Sequence, residues 1–216
     1  MTDTRQTIFN QIRQSLGRQE SVNELTRQHL EARLQQHTIH EQPALNLSLL
    51  DKFIYQVEKV AGTCEQVEQL SDVPACLMRY LHTQQLPTSV VMDRHLKELA
   101  WSSALTVAYR SAQIDDLVSV THAFAGVAET GSIVMLSSPE SPTTLNFLPD
   151  VHIVILSRAD LLPHIESVWE KLRHTNKAIP RTVNFITGPS RTADIEQTIQ
   201  LGAHGPRRLH IILVHE

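Results

Sequence analysis

Val151-His152-Ile153-Val154-Ile155-Leu156 is an apolar run with a single histidine in it, and a second pattern begins five residues further on. Over residues 161–174, Leu161, Ile165, Val168 and Leu172 recur at helical spacing. Val183-Asn184-Phe185-Ile186 is again short and mostly apolar. A continuous apolar run, rather than strict alternation, marks a strand covered on both faces, and strand–helix–strand succession at this length predicts parallel strands joined by a crossover helix. Crossovers in such sheets are right-handed, so the carboxyl ends of the strands share one edge, where open α/β sheets bind ligands.

Working outward, four further runs read as strands: Ser89-Val90-Val91-Met92-Asp93, Leu105-Thr106-Val107-Ala108-Tyr109, residues 133–136 and residues 209–214. Residues 193–201 fit a helix between the last two strands. Upstream, residues 47–64 carry Leu50, Phe53, Ile54, Val57 and Val60 on a helical face, and residues 73–82 form another helix with Pro74 tolerated in its first turn. Pro43 marks a break. Before it lie two amphipathic stretches. One covers residues 4–16 with Ile8, Phe9, Ile12 and Leu16, closed by Gly17. The other covers residues 22–36 with Val22, Leu25, Leu30 and Leu34. The expected organisation is a helical extension over residues 1–45 and an α/β domain over residues 46–216. The apolar stripe of the extension must be covered, either by the main domain or by another chain.

The 216 residues are 41% apolar and 19% charged, which is globular composition. A net charge of −4 supplies no positive field to gather nucleic acid or anionic lipid. The N-terminus lacks a signal-peptide core, and no segment approaches the roughly 18 apolar residues of a membrane helix, so cytoplasm is the expected location. Cys64 and Cys76 are the only cysteines, too few for a cluster held by four thiolates. The twelve histidines are scattered without a helical ligand pair, so no metal site is expected.

Three segments interrupt the regular alternation. In Ala128-Glu129-Thr130-Gly131-Ser132, one carboxylate and two hydroxyls cluster beside a glycine just ahead of a strand. Partly desolvated there, Glu129 can serve as a proton-transfer group or nucleophile; equally, it can cap backbone amides in a tight turn. In Gly188-Pro189-Ser190-Arg191-Thr192, a strand gives way through a glycine turn to the expected helix. That arrangement points free N–H groups at an anion, with Ser190 or Thr192 as cap, Asp194 and Glu196 complementing the dipole, and Arg191 as a bidentate clamp. In Gly202-Ala203-His204-Gly205-Pro206-Arg207-Arg208, two glycines flank His204, an acid–base candidate, with two arginines after it. Neither GxxxxGK[ST] nor GxGxxG is present.

Taken in order, Ala128-Glu129-Thr130-Gly131-Ser132-Ile133-Val134, Leu148-Pro149-Asp150-Val151-His152-Ile153, Gly188-Pro189-Ser190-Arg191-Thr192-Ala193-Asp194-Ile195-Glu196 and Gly202-Ala203-His204-Gly205-Pro206 resemble the signature of the lactate-utilisation protein C family, the LUD-domain proteins. The resemblance covers residues 121–216 clearly, with Ala203 standing where valine is expected. It implies a three-layer α/β/α sandwich with a mainly parallel sheet, similar to ribose-5-phosphate isomerases and CoA transferases. It further implies a part in bacterial L-lactate oxidation to pyruvate. In that role the chain would be a complex subunit with no cofactor of its own, beside partners that carry iron–sulfur clusters, and a homo-oligomer fits as well. Glu129 and His204 are then the candidate catalytic residues. Thr130, Gly131, Ser132, Gly188, Ser190, Arg191, Thr192 and Gly205 are the candidates for holding a small carboxylate or other anion. Two alternatives stay open: a stand-alone enzyme using Glu129, and a carboxylate-binding regulatory module.

Overall fold

The run at 151–157 lies inside a six-stranded sheet in which all five strand pairings are parallel. The structure is a computed structural model describing residues 4–17, 23–35, 41–175, 179–192, 200–202 and 204–216. The chain divides into two compact units, Met1–Glu41 and Gln42–Glu216. The first holds α1 (Thr4–Ser15) and α2 (Glu24–Gln35). Gly17, at φ +62°, follows α1, and the Asn23 side chain accepts the Thr26 N–H at the start of α2. Ile8, Phe9, Ile12, Leu16, Leu25 and Leu30 are exposed. Val22, read as part of the second stripe, lies outside the described residues.

The second unit runs α3 (Leu49–Lys59), β1 (Thr63–Val67), α4 (Val73–Thr83), β2 (Ser89–Met92), β3 (Thr106–Ala108), β4 (Val118–His122), β5 (Ala125–Val127), β6 (Ser132–Leu136), α5 (Thr144–Phe147), β7 (Val151–Ser157), β8 (Leu161–Leu162), α6 (Ile165–His174), β9 (Val183–Ile186), β10 (Arg191–Thr192), β11 (Gln200–Leu201) and β12 (Arg208–Val214). The main sheet has the order β1-β12-β7-β4-β2-β3. On one face, Val118, Val120, Ile153, Ile155 and Ile212 pack against Val73, Cys76, Leu77 and Leu81 of α4. On the other, Val154, Leu156, Leu209, Ile211 and Leu213 pack against Phe53 and Val57 of α3 and Ile133 and Met135 of β6. The expected mixed α/β layering with a mainly parallel sheet is therefore present. The second covering layer is part helix and part sheet, the latter ordered β8-β5-β6-β9 with Val168 of α6 in its outer core.

Several elements differ from the sequence reading, each for a local reason. β6 and β9 belong to this second sheet and pair antiparallel. β5 and β6 are joined by residues 128–131, and a four-residue turn permits only antiparallel pairing. The helix expected from residue 161 starts at Ile165, because Leu161–Leu162 pairs with β5 and Pro163 precedes the extended His164. The helix expected over residues 47–64 ends at Lys59. Ala61 turns the chain at φ +63°, and Cys64 belongs to β1. Arg191–Thr192 pairs antiparallel with Gln200–Leu201, so the last two residues of the expected helix at 193–201 are extended; residues 193–199, with Asp194 and Glu196, lie outside the described residues.

Candidate functional site

The last turn of α3 is the point on which the motif segments converge. Gln56 Nε2 donates to the Glu129 carbonyl. Gly131, at φ +70°, packs so closely that a Cβ there would stand 2.7 Å from Val57 N. Gly188, at φ +77°, leaves 2.8 Å between such a Cβ and the Val60 carbonyl oxygen. Arg191 Nη2 donates to that same oxygen at 2.6 Å. Only glycine combines a left-handed backbone with so close an approach, which explains both positions.

Two groups of residues form around this turn. In the first, Glu129 Oε2 lies 3.1 Å from His164 Nδ1, and the Glu129 N–H donates to the Pro163 carbonyl at 3.0 Å. The Glu129 side chain is 24% exposed and that of His164 12%. The pair is thus mostly shielded from water yet keeps an opening, as a proton-transferring carboxylate requires. Beside it, Thr130 Oγ1, Ser132 Oγ and Thr187 Oγ1 form a hydroxyl chain with links of 2.7 and 2.6 Å. Ser132 is buried, so Ser132→Ala strands two hydroxyls and should cost about 1–2 kcal/mol, read as a lower urea midpoint at an unchanged slope.

In the second group, Ser190 joins two loops. Its N–H donates to the Pro206 carbonyl at 2.8 Å, its carbonyl accepts from Gly202, and its Oγ accepts from the His204 N–H at 3.4 Å. A Cβ on Gly205 would lie 3.3 Å from Ser190 Cβ. The chain is extended at Arg191–Thr192, and residues 193–199, which Ser190 or Thr192 was expected to cap, lie outside the described residues. Arg191 is exposed and gives one guanidinium N–H to the Val60 carbonyl. Thr192 ends β10, the His204 side chain is exposed, and Ala203 lies outside the described residues.

A cavity of about 560 Å³ opens beyond these loops, at the amino ends of β1 and β12, with Arg79, Arg207 and Arg208 among its lining residues. Tyr80 stacks on His210 in its wall, ring centroids 3.8 Å apart. Its size suits a small ligand; Glu65, also in its lining, pairs with Arg79, which leaves Arg207 and Arg208 to favour an anion. The two thiols lie in cores on opposite faces of the main sheet, so they do not pair. Burial pushes both up to about 12, which leaves neither as a ready thiolate.

Sequence reasoning missed a polar group at the opposite, carboxyl edge: Asp93 and His95 after β2, His122 ending β4, and Asp160 with Lys171 beside β7. The available signal was a carboxylate directly following the Val90-Val91-Met92 run. No helix among the described residues is long and apolar enough to cross a membrane.

A family model described as the LUD domain matches residues 2–214. The chain is 35% identical over 119 residues to lactate utilization protein C of Exiguobacterium, a match covering 54% of this chain and 52% of that one. It is 31% identical over 102 residues to lactate utilization protein C of Bacillus subtilis, covering 46% and 42%. With the uncharacterized protein YkgG of Escherichia coli it shares 28% identity over 152 residues, covering 69% and 66%. The chain spans about half the length of the curated relatives it matches. Among solved structures, a DUF162 family protein from Deinococcus radiodurans superposes with a TM-score of 0.59 at 17% identity, covering 80% of this chain and 99% of that one, which is a likeness of fold.

Proposed function

This chain belongs to the LUD domain family, and from that premise we propose that it serves L-lactate oxidation to pyruvate as a subunit or accessory protein beside iron–sulfur partners. The observation that carries the reading is the match to relatives named lactate utilization protein C. The chemistry of this chain supports the division of labour. Two thiols on opposite faces of a sheet, Cys76 buried and Cys64 half-buried, fall short of the four that an iron–sulfur cluster needs, so a cluster of that kind would belong to a partner. The arginine-lined cavity and the shielded Glu129–His164 pair give this chain places to hold a small carboxylate and to move a proton.

A second reading, an enzyme in its own right, is favoured by that same pair. A carboxylate 3.1 Å from an imidazole is an acid–base arrangement independent of any partner.

Growth on L-lactate as sole carbon source tests both. A strain lacking the gene, and lacking any other lactate oxidase, should fail to grow and recover with the wild-type gene. Glu129→Gln keeps the size and the turn but removes the carboxylate, and should lower lactate-dependent growth rate at least tenfold at equal protein level. Full rescue by Glu129→Gln removes the catalytic reading of Glu129 and leaves the role in lactate use standing. Unimpaired growth of the deletion strain removes that role.

A further inference from the structure

Three neighbouring strands of the main sheet, β2, β4 and β7, end at one edge, where Asp93 follows β2, His122 is the last residue of β4, and Arg158 and Asp160 follow β7. The chain passes from β2 to β3 on one side and then crosses back to β4 on the other, so the strand order reverses between β2 and β4. Outside the carboxyl ends of strands, such a reversal opens a crevice, because the two connections leave in opposite directions.

Asp93 stands at this point, 1% exposed. One of its carboxylate oxygens accepts the backbone N–H of His95 at 2.9 Å and also contacts His95 Nδ1 at 2.7 Å. The first bond is what a cap for the short turn at Arg94–Leu96 requires. The second is not needed for capping. It holds the ring by one nitrogen and leaves Nε2, on a side chain 57% exposed, without a protein partner among the described residues. A buried carboxylate that fixes the tautomer of a half-exposed imidazole is the arrangement used to position an acid–base histidine. Across the reversal, His122, exposed, closes β4 within electrostatic reach of Asp93, His95, Asp160 and Lys171. Lys171 pairs with Asp160 and donates to the Phe124 carbonyl, while the Arg94 N–H donates to the Glu140 carbonyl on the rim.

We propose that this crevice is an acid–base site for a small 2-hydroxy acid, with His95 Nε2 taking the hydroxyl proton, Asp93 positioning the ring and His122 at the end of the adjacent strand. The transfer breaks the ligand O–H bond, forms Nε2–H and leaves the electron pair on the ligand oxygen. The imidazolium so formed keeps its contact with the buried Asp93 carboxylate. The choice of a 2-hydroxy acid rests on the lactate reading above; the dyad and the crevice do not.

Two measurements on the full chain decide it. In imidazole ¹⁵N NMR of histidine-labelled protein titrated with L-lactate and, separately, L-malate, the His95 and His122 signals should move saturably with at least one acid, and Asp93→Asn should weaken that binding at least tenfold. The amide oxygen introduced by Asp93→Asn still accepts the His95 N–H, so the cap survives and the urea midpoint should stay within about 0.5 M of wild type. In the deletion strain, Asp93→Asn and His95→Gln should each lower lactate-dependent respiration at least tenfold, with an altered pH profile for Asp93→Asn that a cap alone would not produce. Absence of saturable shifts at His95 and His122 with both acids overturns the proposal, whatever the deletion strain does. So does full respiration in both variants of a strain that needs the wild-type gene.

Discussion

Gly131→Val should lower the stability of the protein by on the order of 4 kcal/mol, the largest loss expected from any single change in the candidate site. Two costs combine. At φ +70° a β-branched residue occupies a backbone region that it strongly resists, worth about 1–2 kcal/mol for any residue with a Cβ and more for valine. The Cβ would also stand 2.7 Å from both Gln56 C and Val57 N, which are backbone atoms of α3 and do not rotate away. Relief requires α3 to lift from the sheet, and Phe53 and Val57, both fully buried, move with it. Gly205→Ala is the matching control. Its Cβ would meet the Ser190 side chain at 3.3 Å and Phe147 Cδ1 at 3.9 Å, with no backbone atom among its nearest contacts, so it should change stability by less than about 1 kcal/mol. Urea unfolding at pH 7.5 separates the two. Equal midpoints for Gly131→Val and wild type would show that α3 does not constrain this turn.

Acid should destabilise the protein well before its carboxylates titrate. His152, on β7, is fully buried with its Nε2 2.7 Å from Thr121 Oγ1 of β4, and burial pushes its pKa down to about 3. His210 is buried against Tyr80, and burial pushes it down to about 4. Both rings fold neutral. In the unfolded chain each binds a proton near pH 6.5, so below that pH the unfolded state holds more protons than the folded one. Stability contributed by these rings is therefore complete above pH 6.5 and falls as the pH drops toward 4 for His210 and toward 3 for His152. Each group changes the folding equilibrium up to tenfold per pH unit. By pH 4.5 the two together remove on the order of 5 kcal/mol, comparable to the whole margin of a typical domain. Urea midpoints at pH 7.5, 6.0, 5.0 and 4.5 should fall steadily. His152→Gln, which keeps a hydrogen-bonding group but does not titrate, should make the fall about half as steep. An identical slope in that variant would assign the acid loss to other groups.

How far the site could be read before folding follows from the same residues. Glu129, Ser190 and His204 stood out because glycines and hydroxyls interrupted apolar runs, and that irregularity is local. Their meeting around the end of α3 is not local: Gly131 touches Gln56, Gly188 touches Val60, and Ser190 bonds to Pro206. Asp93 and His122 gave weaker signals. A carboxylate after a strand and a histidine at a strand end are ordinary in sequence, and only the crossing of the chain from β3 back to β4 sets them at the ends of adjacent strands.

The sequence by itself determined the periodicities, and with them the parallel α/β class, α3, α4, the body of α6 and the buried strands β2, β7 and β12. Backbone geometry writes period 3.6 or a continuous apolar run into any segment that must bury one stripe or two faces. Its ordered motifs likewise carried the family. The tertiary structure alone decided which strands are neighbours. β4 was hidden because Ser119 and Thr121 break its apolar run, yet both are fully buried, and Thr121 is satisfied by His152 on the next strand. β6 and β9 looked like members of the main sheet because a pattern records that a face is covered and not what covers it. Pairing depends on residues far apart in the chain, and the desolvation of Asp93, His152 and His210 arises only when those distant strands close around them.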